Sequence, residues 1–364
     1  MKLKHHPADS MTPIQRKLAI NNQQPFDRMP VNLFIPDIKA KMIGCSIRDL
    51  YLNEDRIVQA EIEAYQNYGM DWMFTGPNSK GIAMSLGVPV TFPEDRSPFV
   101  TEYILEDYQT LEDLKILSYD QSDRLLFFER VVKRLSDIGS AVVNIGVSLG
   151  GPLTIASYLR GTENLLRDMR KRPELLKRLI KIIVARQKEV VDHFASIPGI
   201  TFALADPVAS GSLLPAPMFR EFAYPALMEI SQYVKERADH LPSLHMCGKV
   251  ERIWPEIKCL DLSTFSIDNA CNLQEAVDYF GDKFPITGNV PPVEVMYQGG
   301  KKEIYEAVLN CIDAVNGDPR LCVLGLGCDM PYKAPLENIQ YFMDAVREYG
   351  KYSILQEKYG RSIF

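Results

Sequence analysis

The sequence predicts an α/β protein, a (β/α)8 TIM barrel. It is read as one domain over residues 1–364, with an N-terminal helical extension and an insertion after the second strand. Three observations carry this. Eight short apolar runs of strand length alternate with longer stretches of helical periodicity, the pattern of parallel strands joined by helices. Polar, chemistry-bearing residues follow directly on those runs, where such barrels build their sites. No linker-like composition and no internal repeat interrupts the chain.

Taken in order, residues 11–25 read as a helix with Ile14, Leu18 and Ile20 apolar. Pro30–Ile35 reads as the first strand, stopped by Pro36-Asp37, and residues 48–68 as an amphipathic helix. Asp71–Thr75 is the second strand, closed by Gly76-Pro77-Asn78. Residues 76–120 form the insertion, with an extended piece at Val88–Phe92 and a hairpin expected across one end of the barrel. A helix over 121–138 leads to a third strand at Ala141–Ile145, which runs into Gly146 and then Gly150-Gly151-Pro152. One or two helices, broken near Pro173, fill 163–196. The fourth strand, Thr201–Ala205, delivers Asp206, and a helix over 217–238 follows. Ser243–Met246 is the fifth strand, Leu262–Ile267 the sixth, Phe284–Thr287 the seventh and Leu321–Leu324 the eighth. They deliver Cys247, Asp268, Asn289 and Gly327-Cys328 respectively. The remaining helices are placed at 250–258, 272–281, 301–316 and 335–349.

Composition narrows the function. A net charge of −6 invites no nucleic acid. No stretch approaches the ~18 apolar residues of a membrane span. The N-terminal residues lack the apolar centre of a signal peptide. Seven cysteines without paired spacing suit a reducing compartment, so a cytoplasmic location is expected. The sequence leaves the oligomeric state open, a homodimer included.

The chemistry concentrates in Leu244-His245-Met246-Cys247-Gly248. In a strand, His245 and Cys247 point to one side, because side chains alternate with period 2. An imidazole nitrogen and a sulfur on one side are two corners of a zinc tetrahedron. Cys328, after two glycines at the end of the last apolar run, supplies a third. Two thiolates and one imidazole leave one position open for a substrate or a further ligand. Asp268, next to this strand in barrel order, is the candidate fourth ligand or the group that orients the others. Asp206 is a candidate substrate-orienting acid, and Asn289 a neutral amide at the mouth. Trp72, Met73, Phe74 and Met330 suggest an apolar pocket wall. A barrel whose zinc is only structural is the reading from another class. A closed four-ligand site away from any cavity would favour it.

These residues carry a resemblance. Over roughly residues 11–350 the chain resembles the uroporphyrinogen decarboxylase superfamily. The opening MTPIQRKLAINNQQPFDRMPV is similar to that family's first helix and strand, and LHMCGKV, ITGNVPP and GLGCDMPYKAPLENI resemble its methyltransferase branch. The resemblance implies a zinc enzyme that exchanges methyl groups with the corrinoid of a separate protein. It also implies that His245, Cys247 and Cys328 are the zinc ligands. The small-molecule partner is a methyl donor such as an aryl methyl ether, a methylamine or a methyl halide, or else a thiol acceptor of the coenzyme M type. The decarboxylase branch carries an arginine-bearing segment after its first strand. This chain has Phe34–Lys39 there, with no arginine to grip a substrate of many carboxylates.

Overall fold

The structure is a computed structural model that describes residues 2–108, 111 and 118–363. Its strands are β1 (Val31–Asn32), β2 (Trp72–Thr75), β3 (Val90–Thr91), β4 (Phe99–Val100), β5 (Asn144–Ser148), β6 (Ile200–Ala205), β7 (Ser243–Met246), β8 (Thr264–Ile267), β9 (Ile286–Val290) and β10 (Cys322–Leu326). Eight of them form one parallel sheet in the order β1-β10-β9-β8-β7-β6-β5-β2. With helices between successive strands, this is a TIM barrel, as the alternation of runs predicts. β10 is buried along its whole length and β6 at four of six positions. That is why these strands read as near-continuous apolar runs: a parallel strand is covered on both faces.

The barrel is held shut between β1 and β2 by the backbone and carboxylate of one residue, Asp71, rather than by a strand ladder. Asp71, just before β2, donates its backbone N–H to the Val31 carbonyl at 3.2 Å, and its carboxylate accepts the Val31 N–H at 2.8 Å. The same carboxylate takes the guanidinium groups of Arg16 and Arg28. Both arginines are fully buried and also pair with Asp9, and Arg16 pairs with Asp27 as well. The N-terminal extension, capped by Thr12 in a reciprocal box with Gln15, thereby ties the chain start to the bottom of the barrel. Inside, one contiguous apolar core runs through strands and helices, with a small satellite around Ala40, Ile47, Leu50 and Ala60.

Several boundaries move. The third barrel strand starts at Asn144, three residues later than expected. The N–H groups of Val142 and Val143 both turn back to the Gly139 carbonyl, so Ala141–Val143 is a turn after the helix Asp123–Gly139 instead of pairing. Pro152 opens a helix that the sequence reading did not place, Pro152–Arg160, with proline at its first turn. The 163–196 stretch is two helices, Thr162–Lys171 and Pro173–Phe194. In the insertion, β3 and β4 form the expected antiparallel hairpin, preceded by an unexpected helix at Asn78–Ser85. Residues 109–110 and 112–117 of the insertion lie outside the described residues. Among the described residues, no helix is long and apolar enough to cross a membrane.

Candidate active site

β7 carries the first two functional side chains. Ser243, His245 and Cys247 all line one cavity of about 340 Å³, as alternation along a strand requires. Cys328, just beyond β10, reaches the same cavity. The His245 Nε2 stands 3.2 Å from Cys247 Sγ, and the two sulfurs are 3.7 Å apart. Among the described residues, only these three offer ligand atoms that converge, all within 4.8 Å of one another. The strands β7 and β10 are not neighbours, so the group forms across the barrel mouth.

The donor set fits zinc. Two ligands about 2.3 Å from a tetrahedral ion are ~3.8 Å apart, close to the sulfur separation seen here. Soft thiolates with imidazole are also the donors zinc prefers. The two sulfurs are close enough to share one proton. Hydrogen bonds from Cys247 and His245 pull the Cys328 thiol well down, and donating to that thiolate drives the Cys247 thiol far up. A cation placed among them would replace that proton.

The surrounding residues fix this arrangement. Ser266 on β8 lies beside His245 in the register and holds Nδ1 at 3.0 Å, which leaves Nε2 toward the sulfurs. The turn after Cys247 needs glycine, because Gly248 has φ +72° and a Cβ there would lie 2.5 Å from Ser212 Oγ. Ser210 donates its hydroxyl to the Cys247 carbonyl at 2.5 Å, and the Cys271 thiol reaches the Gly248 carbonyl at 3.4 Å.

The other expected site residues have different places. Asp268 is outside the converging group. One oxygen accepts the Gly248 N–H and the other the Ala270 N–H, each at 2.8 Å, so it orients the Cys247-Gly248 turn. Asn289 does not line the cavity. Its amide donates to the Asp268 and Cys271 carbonyls and ties β9 to the loop after β8. Asp206, the expected substrate-orienting acid, is fully buried and lies behind the cavity lining. It accepts from the backbone N–H groups of Leu153 and Thr154 and from the Thr154 hydroxyl, at the start of the Pro152–Arg160 helix. Burial pushes its carboxyl up to about 6 against those hydrogen bonds. Gly151 permits this approach, since a Cβ there would fall 2.1 Å from Asp206 Cβ. Asp206→Ala is therefore expected to cost stability, about 1–3 kcal/mol for the stranded helix N–H groups. Zinc uptake should not change. A normal melting temperature with impaired turnover would restore the substrate role.

Three cavity residues carry no signal of their own in the sequence. Phe34 packs against both Phe74 and His245, with ring centroids 6.2 and 5.3 Å away. Lys80 enters from the Asn78–Ser85 helix. Asp329 opens onto the cavity yet is enclosed by protein. That enclosure, with the Cys328 sulfur beside it, pushes its carboxyl up to about 6. Lys39, which replaces the decarboxylase arginine in the comparison above, is buried and paired with Glu61 at 2.5 Å, so it is not free for a substrate carboxylate.

A TIM barrel that opens a sulfur–imidazole triad onto a cavity lined by its strand ends has the layout of an enzyme site. The uroporphyrinogen decarboxylase (URO-D) family matches over residues 12–349, and the chain belongs to that family. It is 23% identical to the methylcobamide:CoM methyltransferase MtbA of Methanosarcina acetivorans, over 93% of this chain and 98% of that protein. It is 29% identical to the methylated-thiol–coenzyme M methyltransferase of Methanosarcina mazei, over 55% of this chain and 52% of that one. A uroporphyrinogen decarboxylase of Campylobacter lari is 24% identical over 74% of the chain and 78% of its own length. Among solved structures, a methyltransferase from Methanosarcina mazei superposes with a TM-score of 0.81 at 20% identity, covering 93% of this chain and 99% of that one. The chain is an enzyme of the family's methyltransferase branch.

Proposed function

We propose that the chain moves a methyl group between a small substrate in the cavity and the cobalt of a corrinoid carried by a separate protein. The proposed donor is an aryl methyl ether. The observation that carries the reading is the convergence of His245, Cys247 and Cys328 on the wall of a cavity of ligand size. Those three side chains would hold zinc, which supplies when bound a Lewis acid with one open position. With Nδ1 donating its proton to Ser266, His245 would have the Nε2 lone pair free for a metal. Asp268 and Ser210 keep the Cys247 turn from swinging out. Phe34 and Phe74 form an apolar wall that excludes water and suits an aromatic ring. Exposed Leu52, Leu213, Val293 and Tyr297 lie on segments that follow barrel strands, which favours docking of a partner there.

A second reading is methylation of a thiol of the coenzyme M type. It is favoured by the names of two methyltransferase relatives, both of which include coenzyme M. One experiment separates the two. Zinc-loaded protein is given cob(I)alamin with aryl methyl ethers or methylamines, and methylcobalamin with thiols. The cobalt spectrum then reports the direction. Demethylation of an aryl ether supports the first reading, thiol methylation alone replaces it with the second, and no transfer in either direction rejects both.

Removing the hydroxyl that steadies His245 tests the support of the metal. Ser266→Ala should lower zinc affinity about 10–100-fold, the usual effect of losing a partner behind a ligand. Competition with a chromogenic chelator measures it, and unchanged affinity would remove Ser266 from the site.

A further inference from the structure

We propose that Lys80 recognises an anionic substituent on the methyl-transfer substrate, such as a carboxylate, phenolate or sulfonate. The inference rests on the proposed function only in taking this cavity as the substrate site. Four charged side chains line the cavity: Lys39, Glu61, Lys80 and Asp329. Lys39 and Glu61 neutralise each other at 2.5 Å, and Glu61 also accepts the Phe74 N–H at 3.0 Å. Lys80 has no such partner. It is half-buried, its ammonium stands 5.9 Å above the Tyr158 ring, and among the described residues it forms no ion pair. Asp37 and Asp329 are near enough to favour its charged form against the burial that opposes it. Asp37 is already engaged, since the Tyr51 and Ser97 hydroxyls both donate to it. Burial of the Lys80 ammonium outweighs the pull of the two carboxylates, neither of which pairs with it directly, and a bound anion would offset that cost. The cavity thus draws sulfur and imidazole from β7 and the segment after β10, aromatic rings from Phe34 and Phe74, and a cation from the helix that follows β2.

The same wall also offers Asp329, so the test includes cationic as well as anionic ligands. Calorimetric titration of zinc-loaded and zinc-free protein would use two matched sets. One is 3-methoxybenzoate, methoxybenzene and 3-methoxybenzylamine. The other is 2-mercaptoethanesulfonate, 2-mercaptoethanol and 2-aminoethanethiol. The anionic member of at least one set should bind about tenfold or more tighter than its neutral analogue, the scale of one charge-assisted hydrogen bond. Lys80→Met should erase that preference while zinc content stays unchanged, and Lys80→Arg should retain most of it. Lys80→Gln serves as the neutral variant if the methionine form does not fold. Equal binding of all members, tighter binding of the amines, or a preference that survives Lys80→Met would each overturn the proposal. These readouts need no methyl transfer. A Lys80-dependent anion preference in a protein that transfers no methyl group would sink the proposed function and leave this inference standing.

Discussion

Replacing Cys247 by serine should strip the protein of zinc and of methyl transfer while the barrel stays folded. Serine fits in the place of Cys247, at the end of β7 and half-buried on the cavity wall. Its hydroxyl can still donate toward Cys328, so the metal-free contact survives in outline. As a metal ligand it is far poorer, because its proton is not lost near neutral pH and zinc in such sites takes sulfur and imidazole. Loss of an outer partner alone costs about 10–100-fold in affinity, and loss of a direct ligand should cost at least the upper end of that range. The core does not depend on the site, since its apolar cluster runs through every barrel strand. Zinc content, circular dichroism and transfer to cob(I)alamin can be read on one preparation. Full activity in a folded, zinc-free Cys247→Ser protein would end the metal-assisted reading. Collapse of the fold together with zinc loss would point to a structural zinc instead.

The barrel and its sulfur–imidazole triad were legible because both rest on short-range rules. Strand alternation puts His245 and Cys247 on one side, and the C-terminal strand ends meet at the mouth whatever the helices do. What sequence reading missed depends on contacts between distant segments. Asp206 ends its strand with the same local pattern as Cys247, yet its carboxylate is taken by a helix that Gly151-Pro152 starts some 50 residues earlier. Nothing local distinguishes a residue that faces the mouth from one that caps a neighbouring helix. Ser266 was within reach, because it lies two residues before Asp268 on the same strand, though only the register puts it beside His245. Lys80 had no signal, since the Asn78–Ser85 helix sits in a stretch whose glycine, proline and polar residues read as irregular.

Asp71→Ala is the substitution expected to damage the fold most. Asp71 carries the junction of β1 and β2, where the sheet has no strand ladder, and its side chain serves three donors at once: Arg16, Arg28 and the Val31 N–H. Burying an ion pair is a poor source of stability in itself, because desolvation offsets most of the attraction. Removing one partner is different, because the guanidinium groups of Arg16 and Arg28 would stay buried, with Asp9 and Asp27 alone to balance them. A loss of about 3–5 kcal/mol is expected, a large share of a typical domain's stability. Acid should find the same network. Burial pushes the Asp9 carboxyl up, but Arg28 and Arg347 outweigh that and hold it at about 2, below its value in the unfolded chain. Its contribution is therefore complete above roughly pH 4 and is lost as pH falls toward 2. Urea unfolding of the native protein and of Asp71→Ala, at neutral pH and at roughly pH 3, measures both effects. A variant within about 1 kcal/mol of the native protein at neutral pH would show that the core alone holds the barrel shut. If Arg16→Met combined with Asp71→Ala recovers part of the loss, the damage comes from the stranded charge rather than from the missing Val31 contact.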